Sequence, residues 1–134
     1  MSKKKNDTAK ESIPFDFRTI KSFEDACIKE GIQTDLLDVH GEFEKPMMAY
    51  YKLLIIYKAI NNGWRPDWND MNQYKYYPWF RVLSSGFGFS FSDCHYDYTA
   101  TSVGSRLCTD TSEKALYIAK QFEEEYKNFL LYNE

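Results

Sequence analysis

The chain has 134 residues, 43% hydrophobic, 28% charged and 18% aromatic, with a formal net charge of -3. That length fits one domain, able to bury roughly two-thirds of its unfolded surface without disulfides or metal. The acidic balance argues against a protein whose main task is to coat duplex nucleic acid or an anionic membrane, and the aromatic share is about double that of an ordinary composition.

Residues Met1 to Ser12 are polar, Lys-rich and without periodicity, so they are expected to form a flexible tail ahead of a single domain over 13–134. The tail has the positive charges of a signal peptide but no apolar run behind them, which points to the cytoplasm. Cys27, Cys94 and Cys108 are an odd number of cysteines at wide spacing, without a CxxC pair, and read as reduced thiols.

Ser22 with Asp25, ahead of Phe23, Ala26, Cys27 and Ile28, predicts an N-capped short helix that Gly31 ends. From Gln33 to Phe43 the pattern is ambiguous, and Gly41 marks a turn in a connection. Pro46 suits a first helical turn, so Met47 to Asn62 reads as a second helix, with Gly63 as its left-handed terminator. This helix is apolar on nearly every side, which places it at the centre of the domain or against a second copy or another protein. Lys52 and Lys58 interrupt it and it is too short to span a bilayer, so no membrane segment is expected.

Three β-like segments follow the Asp/Asn-rich loop Arg65 to Gln73. They run from Tyr74 to Ser84, from Gly86 to Phe91, and from Cys94 to Cys108. Pro78 cannot donate to a ladder, which puts the first at a sheet edge or a bulge. Gly86, Gly88 and Ser90 leave one side of the second nearly bare. Asp110 with Glu113 predicts a capping box for a final helix, Ser112 to Tyr132, whose apolar positions Ala115, Ile118, Ala119, Phe122, Tyr126, Phe129 and Leu130 follow helical spacing. The fold class expected is α+β: a small three-stranded antiparallel sheet packed against the buried apolar helix and the C-terminal amphipathic helix.

Ten of the 24 aromatic residues, including all three tryptophans, fall between Trp64 and Phe91. Large flat side chains concentrate recognition energy and also fill small cores. Trp64, Trp68, Tyr76, Tyr77 and Trp79 are the candidate ligand- or partner-binding rings, with Arg81 and Arg106 as candidate partners for phosphates or carboxylates. Residues 64–110 carry four cations against five aspartates, so charge does not favour a nucleic-acid ligand.

Other motifs carry less. The loop Asp67 to Asn72 offers oxygen ligands, but Met71 sits at the fifth position, no glycine occupies the sixth, and Pro78 stands where the closing glutamate belongs, so Asx turns are expected in place of a calcium site. Gly86 and Gly88 lack the third glycine and the helix of a dinucleotide fingerprint. Cys94 and His95 point to opposite faces of an extended strand and cannot act as a nucleophile and its base. Two histidines and three scattered cysteines make no zinc site, and Cys27 and Cys108 read as small buried hydrophobes. No cofactor is expected.

The blocks GWRPDWND (63–70), NQYKYYPWF (72–80), GFGFS (86–90), GSRL (104–107) and AKQFEEEYKNFL (119–130) resemble small uncharacterised proteins encoded by Bacteroides-type gut bacteria, often within prophages and related phage genomes. The resemblance covers roughly residues 43–132. It implies a bacterial or phage intracellular setting and brings no catalytic residues with it. The sequence therefore points to a non-enzymatic interaction or structural protein acting through an aromatic-rich surface. The alternative is a binding module for single-stranded nucleic acid or carbohydrate, which requires the candidate rings to line up on one face.

Overall fold

The computed structural model describes residues 14–34, 38–80, 95–99 and 106–131. Among them run helices α1 (Phe23–Glu30), α2 (Glu44–Asn61), α3 (Ser112–Gln121) and α4 (Glu123–Leu130), strands β1 (Lys75–Trp79) and β2 (His95–Thr99), and 3-10 turns at Phe17–Thr19 and Gly41–Phe43.

Helix α1 forms as its residues dictate. The Ser22 hydroxyl accepts from the Asp25 N–H at 3.0 Å, and the Asp25 carboxylate accepts from the Lys21 N–H at 3.0 Å, so each end of the first turn satisfies the other. Gly31 ends the helix at φ 68, while the Ile32 N–H reaches the Cys27 carbonyl. This is the paired-carbonyl exit that a left-handed glycine permits.

Helix α2 begins three residues earlier than its apolar run, at Glu44, which puts Pro46 at the third helical position, where no intrahelical N–H bond is due. Its terminator is Asn62, left-handed at φ 48, with Gly63 following at φ 97; asparagine tolerates that region better than other side chains bearing a Cβ. The helix is central: α1 and α4 pack along it, and Leu53, Ile56, Ala59 and Ile60 are fully buried. Each large aliphatic chain among these contributes about 1.5–3 kcal/mol of burial.

The three-stranded sheet expected from the sequence is not seen. The described residues hold one antiparallel pair, β1 with β2, in the register Tyr76 opposite Tyr98 and Trp79 opposite His95. Thr109 adds a bridge a single residue wide, exchanging both backbone bonds with Tyr76. The expected strand Gly86 to Phe91 lies outside the described residues, as do the tail Met1 to Ser12, Arg81 and Cys94. The α+β assignment is thus corrected to a mostly helical chain carrying a two-stranded ribbon. The aromatic, alternating run from Cys94 to Cys108 suggested a long third strand, and of that run the described residues show a strand over His95–Thr99. Pro78 is accommodated because backbone groups of successive residues point to opposite sides of a strand and those of every second residue to the same side. Tyr76 turns its groups toward Thr109, so Pro78 turns its missing N–H the same way, and the β1–β2 ladder loses nothing.

The C-terminal helix is two helices, not one. Phe122 breaks it at φ -117, ψ 38 and is itself buried. The break redirects the chain: α3 packs on the ribbon, whereas α4 packs on α2. A single straight helix could not reach both.

The N-terminal segment is fastened to α3. The Tyr117 hydroxyl lies 2.8 Å from the Ile20 carbonyl and the Gln121 amide donates to the Lys21 carbonyl at 2.8 Å, while Phe17 meets the Tyr117 ring edge-on.

Candidate functional site

The candidate rings do not form one platform. Successive strand residues face opposite sides, so β1 sends Tyr76 one way and Tyr77 with Trp79 the other. Trp64, Trp68, Tyr76 and Tyr77 are half-buried, and only Trp79, at 43%, is substantially exposed. Tyr76 meets Tyr74 edge-on. Arg106 is exposed ahead of the buried Leu107, and Arg81 lies outside the described residues.

Trp68 is engaged by a group that sequence reasoning passed over. Lys75 is fully buried, at 0% exposure, and its ammonium lies 4.9 Å from the Trp68 ring centre while donating to the carbonyls of Asp70, at 3.2 Å, and Gln73, at 3.0 Å. Asx turns shape the surrounding loop, with the Asn69 N–H on the Asp67 carboxylate and the Asn72 N–H on that of Asp70. The loop that resembled a calcium ligand set thus wraps the chain's own cation. A lysine between a Tyr and a Trp-rich loop gives no periodic signal of burial, and only the run of carbonyl-presenting turns before it hinted at a cation.

A second polar group lies deeper. The hydroxyls of Tyr57 and Tyr126 share a hydrogen bond in the core, and burial pushes both phenols above their ordinary range. Nearby, the Asn61 amide donates to the Cys108 carbonyl at 2.9 Å, and its own Oδ1 has no partner among the described residues. Burial raises the Cys108 thiol to about 11, against an opposing pull from Lys75. Cys108 is a protonated, packed side chain and no nucleophile. Burial likewise raises Cys27. Both sit where the sequence put them, inside and unbridged.

The feature most like a site is elsewhere. A groove of about 920 Å³ runs between the start of α2 and the end of α4. Pro46, Ala49 and Phe129 are among its apolar lining, and Tyr50 stacks on Phe129 with ring centres 5.3 Å apart. Glu42, Glu44, Glu124 and Glu125 line it too. Phe43 at 58% and Leu130 at 49% stay exposed on its walls. The sequence treated Gln33 to Phe43 as a connection and α4 as half of a longer helix, so neither wall was legible as a wall.

Among the described residues no three His, Cys, Asp or Glu side chains stand together as metal ligands, and no helix is long and apolar enough to cross a membrane. Comparison with protein-family models, curated proteins and solved structures finds no match.

Proposed function

We propose that this chain is a non-enzymatic interaction protein, phage- or prophage-associated, that docks a segment of another protein in the groove between α2 and α4. The observation that carries the reading is the exposure of Phe43 and Leu130 on the walls of that groove, since large apolar side chains gathered at one open cleft mark interaction surfaces. A groove between two packed helices offers a bed in which a third helix can lie. None of the groups with raised pKa values, Cys27, Tyr57, Cys108, Tyr117 and Tyr126, lines the groove, which supports docking over chemistry there. The buried, unbridged thiols of Cys27 and Cys108 agree with a reducing cytoplasm as the working compartment. The split of Tyr76 from Tyr77 and the occupation of Trp68 by Lys75 move the proposed surface away from the aromatic block.

A displayed library of random peptides of about 15 residues, enough for four helical turns, tests the reading. Peptides are expected that hold the native chain and lose the Phe43→Asp and Leu130→Asp variants, both at exposed positions. A library yielding no such peptide overturns it.

A further inference from the structure

Resting on that docking reading, we infer that the groove's occupant is a basic amphipathic helix, a partner segment rich in Lys or Arg on one face with apolar anchors on the other. The argument is the charge around the groove. Elsewhere the described acids are mostly engaged: Asp16 pairs with Arg18, Glu30 with Lys29 and Lys58, Asp110 with Lys114 and Glu123 with Lys127, and Asp25, Asp67 and Asp70 accept backbone N–H groups. Glu42, Glu44, Glu124 and Glu125 make no ion pair or side-chain hydrogen bond among the described residues, and all four line one groove. Glu24 and Glu113 are also unpaired but sit singly on α1 and α3.

Two lysines share the rim. Lys52 has its ammonium 5.5 Å from the centre of the Phe23 ring on α1 and keeps its charge, so Lys45 and Lys52 stand against four carboxylates. The helix ends largely offset each other, the positive end of α2 lying at Glu42 and Glu44 and the carbonyl end of α4 opening on the same groove, so the side chains set the sign of the rim. An apolar floor inside a negative rim attracts a cationic amphipath and repels nucleic acid and anionic lipid.

The test uses the full chain and two synthetic helices of about 15 residues. One carries Leu at helical spacing with Lys at the other positions, and its counterpart has Glu for every Lys. Titration followed by fluorescence anisotropy is expected to show the Lys peptide binding at least about tenfold tighter than the Glu peptide and weakening as salt is raised. Reversing the rim with Glu124→Lys and Glu125→Lys is expected to cut Lys-peptide binding by about tenfold with native circular dichroism kept and the melting temperature slightly lowered, because both acids sit in the first turn of α4, and Glu42→Lys serves as an independent variant on the opposite wall. Equal binding of both peptides, or preference for the Glu peptide, overturns the inference and leaves the docking reading standing. A free chain that self-associates on light scattering, and returns to monomer with Phe43→Asp, gives the groove to a second copy and also overturns the inference. Binding of neither peptide, together with an empty display screen, overturns both.

Discussion

The hydroxyls of Tyr57 and Tyr126, 69 residues apart in sequence, bond to each other at the centre of the core and tie α2 to α4. Each phenol is the other's hydrogen-bond partner, with the Phe80 ring 4.9 Å from that of Tyr126. Removing one hydroxyl strands the other, so Tyr57→Phe and Tyr126→Phe are each expected to cost about 1–3 kcal/mol. The double replacement removes both groups together and is expected to cost less than the sum of the two. Urea unfolding of the four proteins in the cycle reads the coupling, and simple additivity would show that the bond does not form in solution.

The same burial sets an alkaline limit. Tyr57 and Tyr126 keep their protons above the ordinary value of 10.0, and Cys108 keeps its proton to about 11 against an ordinary 9.0. The folded chain therefore binds protons that the unfolded chain has released. Their contribution is complete below pH 9 and is lost as pH rises, first through the thiol and then, above 10, through both phenols. Each group steepens the loss by about 1.4 kcal/mol per pH unit while the folded state holds its proton and the unfolded state does not. Urea midpoints taken up the alkaline range are expected to fall, with a gentler slope above pH 10 in the Tyr57→Phe/Tyr126→Phe protein. A profile that stays level from neutrality to pH 11 would contradict the burial of these groups.

Lys75 gives the loop its shape. Its ammonium satisfies the Asp70 and Gln73 carbonyls and faces Trp68, so Lys75→Met keeps the stem's packing while orphaning two acceptors and releasing the indole. A loss of about 1–3 kcal/mol is expected. In a Trp64→Phe/Trp79→Phe background, where Trp68 alone emits, acrylamide quenching should rise and amide exchange across residues 67–73 should quicken. Unchanged quenching would mean that the Asx turns hold the loop by themselves. Lys75→Arg is not expected to restore the native state, because a planar guanidinium does not fit a site built around a compact ammonium.

What the sequence made legible follows local chemistry. Ser22 and Gly31 announced α1 because caps are read from neighbouring residues, and the apolar run from Met47 announced α2 as either central or covered by a second chain, because no polar face was left to meet water. The final helix was legible in its apolar positions but not in its break, since Phe122 satisfies the spacing of a continuous helix and only the separate partners of α3 and α4 require the turn there. The sheet was over-read. Aromatic and β-branched residues from Tyr74 to Cys108 suit strands, yet β-propensity reflects the surface a residue packs on, and the described pairing stops at two strands. The groove escaped notice because its walls, Glu42 to Lys52 and Glu124 to Leu131, are distant in sequence and each alone looks like an ordinary charged helix end.

The entry to α3 separates two neighbouring residues that the sequence could not rank. Asp110 with Glu113 had the spacing of a capping box, but the N-cap is Thr111, whose hydroxyl accepts from the Lys114 N–H at 3.2 Å, while Asp110 instead holds the Lys114 ammonium at 2.9 Å. Thr111→Ala is expected to cost about 1 kcal/mol, the usual loss of a hydroxyl cap. Asp110→Asn removes only an ion pair one helical turn apart, worth a few tenths of a kcal/mol on the order of 0.3–0.5. Thermal melts of the two variants rank them directly. If Asp110→Ala, which removes any capping side chain, proved more damaging than Thr111→Ala, the helix would begin one residue earlier and the box read from sequence would be the true cap.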